Sequence, residues 1–281
     1  MADAALTIGE VVRRSAQYFA GVGVPSPRLD ADLVIAHALG LPRLALYTEF
    51  DRPLSSRELA GARALVARRG RREPVAYILG HRAFRRLELE VSPSVLVPRP
   101  ETEVLVEWVL ELAAPGAAVL DWGTGSGALA LALADERPDL VVTAIDAADD
   151  ALTVARANGA RLGLAVEWCR SDGFAALDGR AFDIVAANPP YLSEAEFAAA
   201  PPELAFEPRA ALVGGPHGDE AIARIAAEVG THLRPGGVVV CEIGATQADA
   251  VRARFAATGL GETQVREDLA GLPRAVMGRR G

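Results

Sequence analysis

Residues 118–127 read Ala-Val-Leu-Asp-Trp-Gly-Thr-Gly-Ser-Gly, and Ala128 opens a run of good helix formers directly behind them. A short apolar strand ending at Asp121, glycines at Gly123, Gly125 and Gly127, and a helix over Ala128–Asp135 form a strand, turn, helix unit. The glycines let the chain turn tightly and let a ligand approach the main chain, and the helix N-terminus supplies amide donors. The surrounding sequence keeps the same alternation. A helix over Glu101–Leu112 comes before, and strand Leu140–Ile145, helix Asp149–Asn158, and strands Ala165–Cys169 and Phe182–Ala187 come after. Helix Asp219–Leu233, strand Val238–Ile243, helix Gln247–Thr258 and short strands around Thr263–Glu267 and Arg274–Met277 close the chain. Strands separated by helix-length segments pair in parallel with right-handed crossovers. The last two strands have no helix between them, so one of them enters the sheet antiparallel. The expectation is an α/β, Rossmann-like domain with a seven-stranded, mostly parallel sheet.

The N-terminal part is different. Thr7 caps a helix running to Phe19, Ser26-Pro27 starts one that ends near Gly40, Ser55 or Ser56 starts a third that stops at Gly70, and Glu73–Leu79 forms a short turn. This predicts a small helical bundle over residues 1–80, read as a substrate-recognition domain. Between Phe84 and Val97 the period changes to the alternation of Leu87, Leu89 and Val91, which predicts a hairpin linker over residues 81–100 ahead of a main domain over 101–281.

Composition narrows the chemistry. The 281 residues are 51% hydrophobic and 23% charged, and all 29 cationic residues are arginine. Without lysine there is no Schiff base and no Walker or kinase lysine. Two cysteines and four histidines, widely scattered, make neither a zinc cage nor a disulfide framework, so no metal is expected. A reducing, cytoplasmic setting fits, with no leader-like or membrane-spanning run. Residues 1–90 hold 14 Arg against 10 acids, a net of +4, and residues 91–281 hold 15 against 27, a net of −12. So acidic a body argues against stable nucleic-acid binding, which needs a basic face. Arg63 to Arg86 contains eight arginines against Glu73 alone, and reads either as a contact surface or as a solvated face.

The glycine loop alone is ambiguous, because Gly123, Gly125 and Ala128 also satisfy the dinucleotide pattern. Asp146, 21 residues after Gly125, can accept from both ribose hydroxyls of a nicotinamide cofactor or of S-adenosyl-L-methionine. Asp121 favours the latter, since a carboxylate before the glycines repels a pyrophosphate but can hold an ammonium and its water network. Thr124 and Ser126 complete the loop. Asp172 can accept from an adenine amine or cap a helix, and Phe174 can lie on the adenine or be a core aromatic.

The fourth strand runs into Asn188-Pro189-Pro190-Tyr191. An amide or aromatic amine nitrogen has a delocalised lone pair and is a poor nucleophile until its hydrogens are held and that lone pair is aimed. The Asn188 side-chain oxygen and the Pro189 carbonyl are two acceptors at fixed spacing, the prolines restrain the backbone, and Tyr191 can stack on a flat group. Residues ending adjacent parallel strands face one crevice, where cofactor and acceptor meet.

Together these motifs resemble the class I methyltransferases acting on planar nitrogen. Other segments resemble one family in particular, the release-factor glutamine N5-methyltransferases, often called PrmC or HemK. These are Glu73-Pro74 with Tyr77 and Gly80; Phe84; Pro98-Arg99-Pro100-Glu101-Thr102-Glu103; Glu207-Pro208-Arg209 with Gly214-Gly215; Glu242-Ile243-Gly244 with Gln247; and Asp268 with Gly271 and Arg274. The resemblance covers nearly the whole chain. It implies methyl transfer from S-adenosyl-L-methionine to the glutamine amide of the Gly-Gly-Gln loop of class 1 peptide-chain release factors. Gly123 to Gly127, Asp146 and Asn188 would hold the cofactor, Asn188 to Tyr191 would cradle the glutamine, and one of Arg99, Thr102 and Glu103 would close over the methionine side. Gly173 departs from the bulkier residue usual in relatives, and Phe174 is its expected substitute. A DNA or RNA amino-methyltransferase is the runner-up. A nicotinamide oxidoreductase ranks behind it, disfavoured by Asp121 and by the lack of a hydride-transfer acid.

Overall fold

The computed structural model describes residues 6–281, which form two compact units meeting at Gly80 and His81. The first unit is helical: α1 (Ile8–Gly21), α2 (Pro27–Leu39), α3 (Ala45–Thr48), α4 (Ser56–Gly70) and α5 (Val75–Leu79). Thr7 with Glu10, and Ser55 with Glu58, form reciprocal capping boxes that satisfy the first free N–H groups of α1 and α4. Gly40 ends α2 in the left-handed conformation at φ +64°. Ile8, Val12, Phe19, Ile35 and Ala62 make the core. Much of the arginine run is committed within its own unit. Arg69 is buried against Asp30 at 2.8 Å, and Arg68 grips Glu73 through two bonds of 2.9 and 2.6 Å.

The second unit opens with a hairpin of β1 (His81–Phe84) and β2 (Leu87–Glu90). It begins at the first residue of the predicted linker but is shorter, ending at Glu90, because its turn is Arg85-Arg86, with Arg85 at φ +53°. No glycine marks that turn. Arg85 reaches Glu136 at 2.8 Å and Glu107 at 2.8 Å, and Phe84, Leu87 and Leu89 join the core of this unit.

The order then runs α6 (Glu103–Leu112), β3 (Ala118–Trp122), α7 (Ala128–Glu136), β4 (Val141–Asp146), α8 (Asp149–Leu162), β5 (Glu167–Arg170) and β6 (Phe182–Ala187). A short excursion follows, with β7 (Leu192–Ser193), α9 (Glu194–Ala198) and β8 (Val213–Gly215), and then α10 (Glu220–Glu228), β9 (Leu233–Glu242), α11 (Ala248–Ala257), β10 (Leu260–Glu267) and β11 (Pro273–Arg280). The main sheet has the order β10-β11-β9-β6-β3-β4-β5, and only β11 runs against its neighbours. Alternate residues of each strand feed opposite faces, so Val119 packs under α6 and α7 while Leu120 packs under α10 and α11. From β3 the chain moves outward through β4 and β5, then returns to place β6 on the other side of β3. That reversal opens a crevice at the carboxyl ends of β3, β4 and β6. Among the described residues no helix is long and apolar enough to cross a membrane.

Candidate active site

The crevice is a cavity of about 260 Å³. Its wall takes in the loop Asp121–Ser126 after β3, Ile145–Ala148 after β4, Ser171–Gly173 after β5, and Asn188 and Pro190 after β6. Phe84, Ser94 to Leu96, Pro98, Arg99 and Thr102 close another side.

The three glycines of the loop do different work. Gly123 and Gly125 sit at φ +76° and +54°, and a Cβ on either would meet nothing within 4 Å. They leave the main chain bare towards the cavity. Gly127, at φ +85°, faces inward, where a Cβ would approach Leu131 at 3.0 Å and Trp168 at 3.2 Å, so here the requirement is packing of helix on sheet. The loop is pinned by N–H bonds from Gly123 and Thr124 to the Ile145 carbonyl at 3.0 and 2.9 Å. Gly125 N donates to Asp146 Oδ2 at 2.9 Å, and fully buried Asn158 holds the Ser126 carbonyl at 3.0 Å.

Asp121 is buried beneath this loop, and its Oδ2 accepts from Thr124 Oγ1 at 2.6 Å and from Ala130 N at 3.2 Å. Burial pushes its carboxyl up to about 7, against the pull of those two donors, and the charge of Asp146 adds to the rise. Asp172 is exposed at the rim, with Oδ1 2.5 Å from Arg224 Nη1. Gly173 is what lets that arginine lie there: at φ +61°, its Cβ would stand 2.6 Å from the guanidinium. Phe174, the expected substitute at an adenine, is instead a core residue, 3% exposed and stacked on His232 with centroids 4.7 Å apart. One position after a left-handed glycine, its side chain drops into the apolar layer under α10.

Asn188 leaves β6 with its Nδ2 donating to the buried Thr102 hydroxyl at 3.0 Å. That bond turns the other end of the amide, Oδ1, away as a free acceptor. Glycines pack directly behind the loop: a Cβ at Gly214 would come within 2.4 Å of the Pro190 carbonyl, and one at Gly218 within 2.6 Å of that of Tyr191. Gln247 Nε2 donates to the Tyr191 carbonyl at 3.1 Å while its Oε1 accepts from Gly244 N at 2.8 Å. Tyr191, expected to stack on a flat substrate group, is half-buried with its hydroxyl 3.4 Å from Glu242 Oε1. Pro189 is buried and, like Tyr191, Gly127 and Phe174, is not part of the cavity wall.

In the proline-rich segment, Arg99 and Thr102 face the cavity, whereas Glu103 does not and accepts from Arg85 N at 3.1 Å. Arg99 is held at 2.5 Å by Glu207, which also accepts Val97 N at 3.0 Å. Sequence reasoning offered Thr102 only as one of three candidates and gave Glu207 no role. The signal for both was the proline and arginine pattern around them, which fixes backbone but does not say which side chain turns in.

The charges fit a cationic, sugar-bearing cofactor. Asp121, Asp146 and Asp172 line the cavity, and the one arginine on its wall among the described residues, Arg99, is already paired with Glu207. A pyrophosphate would meet this acidic wall with no free cation to answer it.

A seven-stranded sheet in this order, with a glycine loop after β3 and a cavity at the switch point, defines a methyltransferase of the class I fold. The comparisons agree. Family models match at residues 10–80, the PrmC N-terminal domain, and at residues 100–207, the methyltransferase small domain. In sequence the chain is similar to the release factor glutamine methyltransferase of Geobacter sulfurreducens, 41% identical over 98% of this chain and 97% of that one. It is likewise similar to those of Koribacter versatilis, at 41% over 98% and 99%, and Burkholderia pseudomallei, at 44% over 91% and 93%. The chain belongs to the release factor glutamine methyltransferase family. In fold it is similar to a methyltransferase from Pyrococcus furiosus, with TM-score 0.55 and 20% identity over 69% of this chain and 89% of that one. The Thermus thermophilus 16S rRNA N2 G1207 methyltransferase, solved with AdoMet and guanosine, gives 0.54 and 21% over 72% and 50%.

Proposed function

We propose that this protein transfers a methyl group from S-adenosyl-L-methionine to the side-chain amide nitrogen of the Gly-Gly-Gln glutamine of class 1 peptide-chain release factors. The observation that carries the reading is the Asn188 amide, whose Nδ2 is spent on Thr102 so that its Oδ1 is left to accept a hydrogen from another amide. Gly123 to Ser126, Asp121 and Asp146 would hold the cofactor, with Asp172 and Gly173 at its adenine end. When bound, S-adenosyl-L-methionine supplies an electrophilic methyl group whose transfer neutralises the sulfonium.

The remaining chemistry belongs to the chain. Asn188 Oδ1, on the cavity wall, accepts an N–H group of the glutamine amide, rotating its lone pair towards the methyl group. Held this way, the nitrogen gains electron density in the transition state, and the acceptor stabilises the positive charge growing on it. After methylation the nitrogen is acidic and sheds one proton to water, so no histidine base is needed. Among the lining residues, acids and apolar groups favour a neutral amide over a polyanionic strand. A translation-factor substrate places the reaction in the cytoplasm.

The reading is tested by offering labelled S-adenosyl-L-methionine with purified release factor, DNA or RNA. Label on the release factor supports it, and label confined to nucleic acid refutes it.

A further inference from the structure

We propose that Glu242 is a positioning residue for the transfer: acting through Thr102, it decides which end of the Asn188 amide faces the cavity. The inference rests on the reading of Asn188 as the acceptor of a substrate N–H group. Strands β6 and β9 are paired with Ala187 opposite Cys241, so the next residues, Asn188 just past β6 and Glu242 at the end of β9, lie side by side at the carboxyl edge of the sheet. Glu242 is only 1% exposed and is not part of the cavity wall, so it does not touch substrate. Its Oε2 is buried with no hydrogen-bond partner among the described residues. A carboxyl buried this way is costly, and such a group in a native protein asks for a reason.

The reason lies next to it. Thr102 Oγ1 accepts from Asn188 Nδ2 at 3.0 Å, so its own hydroxyl proton has to go elsewhere. Thr102 lies against Glu242 and draws the carboxyl pKa down, against a burial effect that pushes it up to about 7. A donor in need of an acceptor therefore adjoins an acceptor in need of a donor. The other groups facing this carboxyl are Tyr191, whose hydroxyl is 3.4 Å from Oε1, Arg274 from β11, which favours the ionised form, and Glu101, which opposes it.

The polarity of the chain follows from the state of Glu242. Ionised, it accepts a hydrogen bond from the Thr102 hydroxyl. Thr102 then offers Asn188 only a lone pair, Asn188 has to answer with Nδ2, and Oδ1 faces the cavity. Protonated, Glu242 becomes the donor, Thr102 turns its own proton to Asn188, and the amide inverts. The cavity is then presented with an NH₂ group, which repels the hydrogens of the substrate amide.

The test begins without substrate. In nitrogen-15 NMR spectra of the free enzyme, the Asn188 side-chain amide should shift with pH between about 5.5 and about 8.5, and in Glu242→Gln it should not. Glu242→Gln and Thr102→Val should each lower kcat about 10-fold or more while cofactor Kd stays within about two-fold. The double variant should be no slower than the worse single one, as expected for residues acting as a unit, and Thr102→Ser should recover most of the loss. The acid limb of the kcat profile should vanish in Glu242→Gln. Thermal unfolding of Glu242→Gln above pH 7 should come no earlier than that of wild type, whereas a large drop would make the residue a structural one and overturn the proposal. An Asn188 signal indifferent to both pH and Glu242→Gln, or additive kinetic losses, would also overturn it. If that signal titrates as described and release factor is still not methylated, the relay stands and the substrate assignment falls.

Discussion

Asn188 and Thr102, 86 residues apart, share a 3.0 Å hydrogen bond in which the asparagine is the donor. An asparagine that donates to its own protein keeps its oxygen for something else, and here the something else is a planar amide. Removing that oxygen removes the aim of the nucleophile but leaves the cofactor's side of the cavity in place. Asn188→Ala should therefore lower kcat by roughly 10²-fold or more, the scale of losing one preorganised hydrogen bond, while cofactor affinity changes little. Unchanged turnover would remove the amide-clamping role.

Gly125 and Gly127 separate ligand approach from packing. Both lie at positive φ, but only Gly127 is enclosed. Gly127→Ala should destabilise the protein by about 1–3 kcal/mol, adding a contact with Leu131 to the left-handed backbone penalty. Gly125→Ala should cost only about 1 kcal/mol in stability, while its new methyl group intrudes on the cavity and weakens cofactor binding. Thermal unfolding and calorimetric titration of the two variants distinguish these outcomes.

Asp121 makes both stability and binding depend on pH. Its carboxyl is raised from 3.8 to about 7 by burial, so the folded state holds a proton that the unfolded chain gives up at lower pH. The stability this contributes is fully present below about pH 4 and is lost as pH rises towards 7, after which the penalty is constant. Asp121→Asn should therefore gain in Tm relative to wild type between pH 4 and pH 7, with no further gain above. A cationic ligand favours the ionised form, so wild-type cofactor affinity should be several-fold higher at about pH 8 than at about pH 6, with proton uptake by buffer. Affinity flat across that range would mean that Asp121 does not face the cationic end.

The wall opposite the glycine loop depends on Glu207. Its side chain is 1% exposed and binds both Arg99 and the Val97 N–H, holding the segment that carries Leu96, Pro98 and Arg99 into the cavity. Glu207→Ala leaves that N–H unanswered and the arginine free. It should lower stability by roughly 2–4 kcal/mol and raise the apparent cofactor KM, both measurable on the purified protein.

The sheet was legible because its signals are local and repeated. Phe182–Ala187 is recovered residue for residue, and the antiparallel β11 follows from the lack of a helix after β10. The hairpin turn at Arg85 was not legible, since an arginine at φ +53° is held by Glu136, Glu107 and Glu103, acids that lie far along the chain. The excursion over residues 192–215 was missed for a similar reason. Its two strands are two and three residues long, and they pair with each other across α9. Within the site, Asn188, Asp121 and the glycines could be named from their motif. Phe174 was left between the adenine and the core because spacing does not show which face a side chain takes after a left-handed glycine, and it lies in the core.

The central claim is that one amide nitrogen is methylated at this cavity. The direct measurement is fragment-ion mass spectrometry of a class 1 release factor after incubation with the enzyme and S-adenosyl-L-methionine, alongside a release factor whose Gly-Gly-Gln glutamine is replaced by alanine. A single methyl group on the glutamine side chain, absent from the alanine variant and from reactions with Asn188→Ala, is the predicted result. Methylation that persists in the alanine variant, or that falls on another residue, would contradict it.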